Sequence, residues 1–346
     1  MAKILFGVCG VGYGHAIRSK ILLEELAKNH DLFIVAGQLA YSYLKDNFKN
    51  VCEVDGLELA FKENRVNSLR TILKNIKKIS MKNYNSLKRI KGKIDLFKPE
   101  IVISDFEAFS IYYAGDKKLK VIGFDNEHYI LDGNFNVPGK YKVSYLKSKI
   151  IVNFYNINAS IIYLLPDQKL NENSKAFSLM PVLRNEIIKS KPKNNDYILV
   201  YTSVIKHEKI FEVFKKFNEK FIIFGDWEDK KYKNLVFKKF NEKEFLRFLL
   251  NCKAIITTAG INLISEAIYL GKPILALPIK NQFEQILNAL YVKENNYGEY
   301  CEDITENILK YFLKNLSNYK KYSFVPGNKN LFNLVEKLIK VNKIAN

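Results

Sequence analysis

Apolar residues along the chain fall into short continuous runs separated by helical stripes, and the alternation occurs twice. Lys3 to Cys9 is an apolar run of strand length and Gly10 to Gly14 a glycine-rich turn. Ala16 to Lys28 places Ile17, Leu22, Leu23 and Leu26 on one face of a helix. Leu32 to Ala36 reads as a second strand. A long helical pattern follows, with Leu69, Ile72, Leu73, Ile76, Ile79, Leu87, Ile90 and Ile94 at three- and four-residue steps. Strand Ile101 to Ser104, a short helix and strand Lys120 to Phe124 continue the series.

Residues 189–195 are polar and contain Pro192, the mark of a linker. The alternation then resumes. Strands are predicted at Tyr197 to Thr202, Phe221 to Phe224, Leu235 to Phe237, Ala254 to Thr257 and Ile274 to Leu277. Helices are predicted at Glu208 to Phe217, Glu242 to Leu250, Asn262 to Tyr269 and Phe283 to Glu294. Two such series predict an α/β protein of two Rossmann-like, doubly wound domains, 1–188 and 196–330, facing across a cleft. A last helix is predicted near Leu331 to Ile344. Ligands of such sheets bind at the carboxyl ends of the strands.

The length of 346 residues exceeds what one core usually supports, and 48% apolar residues supply two cores. Four cysteines, Cys9, Cys52, Cys252 and Cys301, are widely spaced and form no CxxC pair, so neither a disulfide framework nor a zinc site is expected. No signal-peptide pattern or transmembrane-length run is present, and a cytoplasmic protein is expected, membrane-associated at most.

The net charge of +19 is unevenly placed. Between Lys62 and Lys98 there are 12 basic and 2 acidic residues, a basic face on the helical pattern of 65–94. Lys140 to Lys149 adds four lysines beside Tyr141, Tyr145 and Leu146. Such faces attract an anionic membrane surface, a lipid diphosphate or nucleic acid, and equally serve as a solvated lysine surface.

Gly10-Val11-Gly12-Tyr13-Gly14-His15 lacks the G-x-G-x-x-G spacing of a dinucleotide fingerprint, and no acidic residue ends the second strand. The loop instead places His15 at a helix start on the ligand-binding rim. There it suits a general base, with the helix N-terminus expected to lower its pKa. Asp105 ends strand Ile101 to Ser104 on the same rim and would orient His15; a helix cap is its competing role. Glu107, Asp125, Glu127 and His128 occupy neighbouring rim loops, as acceptor-binding groups or ordinary loop polar residues. In the second series a strand ends at Thr258, and Gly260 lets backbone approach a ligand at a helix whose free amides suit a diphosphate. Glu266 lies further along that helix, where a carboxylate can bind ribose hydroxyls, and Glu284 and Gln285 open the next helix.

The block from Ile255 through Gly260, Asn262 and Glu266 to Glu284-Gln285-x-x-Asn288-Ala289 resembles the donor-binding motif of inverting GT-B glycosyltransferases. These include the UDP-glycosyltransferases and the N-acetylglucosaminyltransferase of lipid-linked peptidoglycan precursors. With the G-x-G-x-G-H opening and Pro181-Val182-Leu183-Arg184, the chain is most similar to a group of predicted archaeal and bacterial glycosyltransferases. The resemblance implies a nucleotide-sugar donor, a UDP-sugar foremost, and a hexose-type sugar moved with inversion to an acceptor glycan or lipid-linked sugar. It implies Gly260 and Asn262 at the diphosphate, Glu266 at the ribose, Glu284 and Gln285 at the donor sugar, and Phe240 stacked on uracil. His15 would be the base and Asp105 its partner, with Gly12, Gly14, Glu107, Glu127 and His128 on the acceptor side. Thr258, where the family often has histidine, and Ser203 would meet the leaving charge. Lys243 replaces a common glutamine, and the resemblance implies that the last helix, near Leu331 to Ile344, returns to the first domain. No Asp-x-Asp motif is present, so no metal or other cofactor is expected. A nucleotide-sugar epimerase of the same fold, a silent sugar-nucleotide sensor and a basic nucleic-acid-binding protein are the alternatives; no nucleic-acid motif supports the last.

Overall fold

The computed structural model describes residues 1–56, 61–62, 65–66, 83–155, 157–202, 208–225 and 227–344. The chain divides into two compact units: Met1–Phe61, Asn67–Val182 and Pro326–Asn346 in one, Lys62–Val66 and Leu183–Val325 in the other.

The first unit is built on β1 (Lys3–Val8), β2 (Asp31–Gly37) and β3 (Val51–Val54), which alternate with α1 (Tyr13–Leu26) and α2 (Gln38–Leu44). The short β4 (Phe61–Lys62) and β5 (Arg65–Val66) pair with each other, and Lys62–Val66 is grouped with the second unit. After α3 (Asn83–Phe97) come β6 (Ile101–Asp105), α4 (Ala108–Lys117), β7 (Val121–Asp125), α5 (Tyr129–Asp132), α6 (Lys142–Asn153), β8 (Ala159–Tyr163) and β9 (Phe177–Leu179). The sheet runs β3-β2-β1-β6-β7-β8-β9 and every pairing in it is parallel. Strand order therefore reverses between β1 and β6, a topological switch point. Leu5, Val35, Val102 and Val121 from the strands pack with Ile90, Ile94, Phe109 and Tyr113 from α3 and α4.

Within the pattern over 65–94 the described residues are helical from Asn83. Arg65 and Val66 lie in β5, and 67–82 fall outside the described residues. The element order also inserts α2 and β3 between the second strand and this helix.

The second unit contains α7 (Asn185–Ile188), β10 (Ile198–Tyr201), α8 (Glu208–Phe214), β11 (Phe221–Gly225), β12 (Lys230–Tyr232), β13 (Leu235–Lys239) and α9 (Glu242–Asn251). It continues with β14 (Ala254–Thr257), α10 (Ile261–Tyr269), β15 (Ile274–Ala276), α11 (Phe283–Glu294), β16 (Gly298–Tyr300) and α12 (Glu306–Lys314). Its sheet order is β12-β13-β11-β10-β14-β15-β16, parallel except for β12 on the edge, with a switch point between β10 and β14. Its core joins Ile198, Val200, Phe221 and Ile256 to Phe214, Leu309 and Phe312.

Residues 189–195 are bonded to the second unit. The amides of Lys193 and Asn195 donate to the carbonyls of Leu250 and Asn251, and the buried Lys272 ammonium donates to the carbonyls of Lys193 and Cys252. The change of unit falls at Val182–Leu183. The last helix, α13 (Asn328–Ile344), belongs to the first unit, where Glu336 Oε1 lies 2.8 Å from His30 Nε2. All four cysteines are free thiols.

Candidate active site

The two strands that flank the first switch point bring the first group of residues together. Val8 of β1 is in register with Asp105 of β6, and the Cys9 amide donates to the Asp105 carbonyl over 3.0 Å. Gly10 makes the close turn possible: a Cβ there would stand 2.5 Å from the Gly37 carbonyl carbon. Gly12 caps α1 with φ at 76°, a conformation open to glycine at little cost. Gly14 and His15 then fall in the first turn of α1, with Arg18 and Ser19 one turn further on the same side.

All three of those polar side chains converge on Asp105, which is fully buried. His15 Nδ1 is 2.8 Å from Asp105 Oδ1. Arg18 Nε donates to Oδ2 over 2.9 Å, Arg18 Nη2 donates to Oδ1, and Ser19 Oγ donates to Oδ2 over 2.7 Å. Burial by itself raises a carboxyl pKa, but the Arg18 and His15 charges and hydrogen bonds outweigh it and bring Asp105 down to about 2. Asp105 is thus a fixed anion that accepts only, so a bond to His15 needs the proton on Nδ1. Arg18 Nη2 also stands 2.9 Å from Nδ1. The charge-assisted bond to the carboxylate is the stronger of the two, which leaves Nε2 as the basic position of the neutral ring.

Glu127 lies on the other side of the ring, its Oε1 3.4 Å from His15 Nε2 and its Oε2 3.4 Å from Arg18 Nη2. Desolvation and Arg18 lower the His15 pKa, whereas Asp105 and Glu127 raise it, and the net shift is upward. This corrects the expectation that the helix N-terminus holds it low: two carboxylates at bonding range outweigh a partial charge that fades within a turn. His15, Asp105 and Glu127 offer ligand atoms within 4.8 Å of one another, a spacing a cation could bridge. The Arg18 guanidinium already sits against Asp105 and His15 there, and its fixed positive charge opposes a metal ion.

The remaining first-unit candidates have different surroundings. Glu107 caps α4: its two carboxylate oxygens accept from the amides of Phe109 (2.8 Å) and Ser110 (2.6 Å), and burial raises its pKa to about 7. His128 forms a second buried pair, Nδ1 2.8 Å from Asp125 Oδ2. Burial has the largest single effect and lowers its pKa, but the charge and hydrogen bond of Asp125 together with the Glu127 charge outweigh it and bring it to about 9.

In the second unit the loop after β14 carries Thr258, which is buried, and Ala259, whose φ of 65° is a left-handed conformation costly for a residue with a Cβ. Gly260 caps α10 without any side-chain bond, and a Cβ there would meet open space. Asn262 follows in the first turn. Glu266 is buried and clamped by Arg184, which donates from Nε to Oε1 (2.7 Å) and from Nη2 to Oε2 (2.6 Å), with Arg184 Nη1 on Glu242 Oε1 at 3.1 Å. The fork fixes the plane of the Glu266 carboxylate and leaves each oxygen a lone pair for a hydroxyl donor.

On α11, Gln282 Oε1 accepts from the Gln285 amide and Gln285 Oε1 accepts from the Ile279 amide, while Gln282 Nε2 donates to Glu284 Oε2. Asn288 Nδ2 donates to the Ala259 carbonyl, tying α11 to the loop before α10. Phe240 lies among Tyr201 and Phe245, each 5.7 Å away between ring centroids. Ser203 falls outside the described residues.

Arg18, Ser19 and Gln282 were not among the residues the sequence singled out, and Arg184 entered only as part of a motif. The i, i+3 spacing from His15 was the available signal for Arg18.

Two doubly wound units, one with a His–Asp pair at its switch point and the other with a glycine-started helix at its own, define a glycosyltransferase of the GT-B fold. Residues 2–317 match the sequence model of glycosyl transferase family 1, and the chain belongs to that family. Over 146 residues it is 31% identical to the UDP-N-acetylglucosamine--N-acetylmuramyl-(pentapeptide) pyrophosphoryl-undecaprenol N-acetylglucosamine transferase of Clostridium tetani, a stretch spanning 38% of this chain and 41% of that protein. Its fold is similar to that of the spinosyn rhamnosyltransferase SpnG (TM-score 0.67, 11% identity, 96% of this chain and 100% of that one). It is also similar to Acinetobacter baumannii MurG (TM-score 0.59, 13% identity, 97% and 100%). A third is Phytolacca americana UGT2 complexed with UDP-2fluoro-glucose and pterostilbene (TM-score 0.64, 12% identity, 96% and 98%).

Proposed function

We propose that the chain transfers a hexose-type sugar from a nucleotide-sugar, a UDP-sugar foremost, to an acceptor hydroxyl with inversion. The observation that carries this reading is the His15 ring, held at Nδ1 by a buried, permanently ionised Asp105 so that Nε2 is the basic atom. In the proposed step an acceptor hydroxyl takes the place of Glu127 at Nε2 and gives its proton to that nitrogen. The acceptor oxygen bonds to the anomeric carbon as the bond from that carbon to the diphosphate breaks, and the nucleoside diphosphate leaves. Attack in line with departure inverts the centre.

The donor half of the reading rests on the second unit. The N-terminal turn of α10 after Gly260, with Thr258 beside it, suits a diphosphate without a metal ion, and the arginine-oriented Glu266 suits a ribose diol. Glu284 and Gln285 would hold the sugar. The UDP named in the Clostridium tetani relative and in the UGT2 complex favours uridine. The acceptor in this reading is lipid-linked, in line with the undecaprenol named in that relative.

Thermal unfolding of the protein with UDP, GDP, dTDP or CDP tests the donor site. One nucleotide should raise Tm, and Glu266→Ala should abolish the rise while His15→Ala keeps it. Transfer should fall by about 10²–10⁴-fold in His15→Ala. Near-normal turnover in that variant would remove His15 from the mechanism, and no response to any nucleotide would remove the donor site.

A further inference from the structure

Helix α11 is capped by a glutamine. Serine, threonine, aspartate and asparagine are the usual caps, and they satisfy the free amides of a helix start with a shorter side chain. Gln282 holds the place here, and its side-chain amide makes two bonds of opposite sense. Oε1 accepts from the Gln285 amide over 2.8 Å, and Nε2 donates to Glu284 Oε2 over 3.1 Å. A serine or aspartate could make the first bond but has no N–H for the second.

The turn that delivers Gln282 is itself fixed. The Gln282 amide donates to the Ile279 carbonyl over 3.0 Å, and Asn281 between them takes a left-handed conformation with φ at 69°. Asparagine is one of the few residues to adopt it readily. Ile279 and Phe283, on either side of the turn, are buried. The Ile279 amide donates to Gln285 Oε1 over 3.0 Å, which sets the orientation of that second side-chain amide as well. Gln285 is left with Nε2, a donor only, while the Glu284 carboxylate is an acceptor only. These two neighbours thus have fixed and opposite hydrogen-bonding sense, and Gln282 is bonded to both.

We propose that Gln282 is a positioning residue for recognition of the donor sugar. It holds the Glu284 carboxylate in place to accept from one sugar hydroxyl, while Gln285 Nε2 donates to a neighbouring sugar oxygen. The inference deepens the proposed function and rests on its assignment of Glu284 and Gln285 to the sugar. A carboxylate already oriented by a charge-assisted bond loses little freedom when a hydroxyl arrives. Without Gln282 Nε2 it loses one of its restraints, and the cost of ordering it falls on sugar binding. In the same reading the nucleoside diphosphate is held by other residues, Thr258, Gly260 and Glu266, so its affinity is independent of Gln282.

Calorimetric titration of the full chain with UDP and with UDP-glucose is the test, read as the ratio of the two affinities. Gln282→Glu is the decisive variant. It keeps the side-chain length and the accepting oxygen at the helix start, where negative charge is favourable, and should keep the wild-type Tm. It replaces the N–H that holds Glu284 with a second carboxylate. UDP affinity should be unchanged, and UDP-glucose affinity relative to UDP should fall by about tenfold. Gln282→Ser, which also keeps a cap and adds no charge, should show a smaller loss in the same direction. Glu284→Ala gives the loss expected of a sugar contact itself. If it lowers the ratio while both Gln282 variants leave the ratio unchanged, Gln282 is a cap alone; the proposal is then overturned and the donor site stands. A Gln282→Glu variant that loses UDP and UDP-glucose alike overturns it as well, since the effect is then on the fold of the site. If none of the three variants changes the ratio, or the wild type binds neither ligand, the assignment of Glu284 and Gln285 to the sugar fails and the inference falls with it.

Discussion

His15 stands between two carboxylates that differ in freedom. Asp105 is immobilised by Arg18, Ser19 and the ring itself, while Glu127 touches Nε2 only at 3.4 Å. Glu127 and Asp105 raise the His15 pKa and Arg18 lowers it, so the two outer neighbours act in opposite directions. A raised pKa means the ring carries its proton up to a higher pH than an ordinary histidine and becomes a base only above it. Glu127→Gln should therefore move the His15 titration to lower pH and Arg18→Gln should move it to higher pH. The chain has four histidines, few enough for the imidazole signals to be followed singly by NMR, with His15→Ala giving the assignment. Shifts of the same sign in both variants would contradict this account of the charges. The Glu127 variant also separates roles: a residue that only holds structure would alter Tm and leave the titration of His15 in place.

At the scale of elements, short side-chain bonds at strand ends decide where helices begin. Glu107 satisfies two of the free amides of α4 as the side-chain cap of that helix start. Glu107→Ala should cost about 1–2 kcal/mol in denaturant unfolding, partly offset at neutral pH because a buried carboxylate is no longer required. A change within a few tenths of a kcal/mol would show that the cap contributes little. The same local rules explain what was legible in the sequence. Ala254–Thr257 is a short apolar run followed by a turn signal, and α11 is an amphipathic stripe opened by Glu284 and Gln285, so both were readable to the residue. Helix α6 was not: with apolar residues on both faces it has no single stripe, and only its lysines and tyrosines stood out. β3, of sequence VCEV, is too short and mixed to signal a strand. Arg18 was missed for a related reason. An arginine in an amphipathic helix ordinarily reads as solvated, and only the register of β1 with β6, which brings Asp105 beneath it, makes it buried.

For the whole molecule, the two units have separate cores and separate sets of candidate residues. His15, Asp105, Arg18 and Glu127 lie in the first; Gly260, Glu266, Arg184, Glu284 and Gln285 lie in the second. Chains of this kind often unfold in more than one step. A ligand raises the stability of the folded unit that binds it by RT ln(1 + [L]/Kd), about 2.7 kcal/mol at a hundred times Kd. Calorimetry should accordingly resolve two transitions, with the responding nucleoside diphosphate moving one of them. Arg184→Ala should lower that same transition, because it leaves the buried Glu266 carboxylate without its partner, a loss of about 3–5 kcal/mol for a broken buried pair. His15→Ala should leave it where it was. If the nucleotide instead moves the transition that His15→Ala perturbs, the donor belongs to the first unit. The assignment of Gly260, Glu266, Glu284 and Gln285 would then have to be given up.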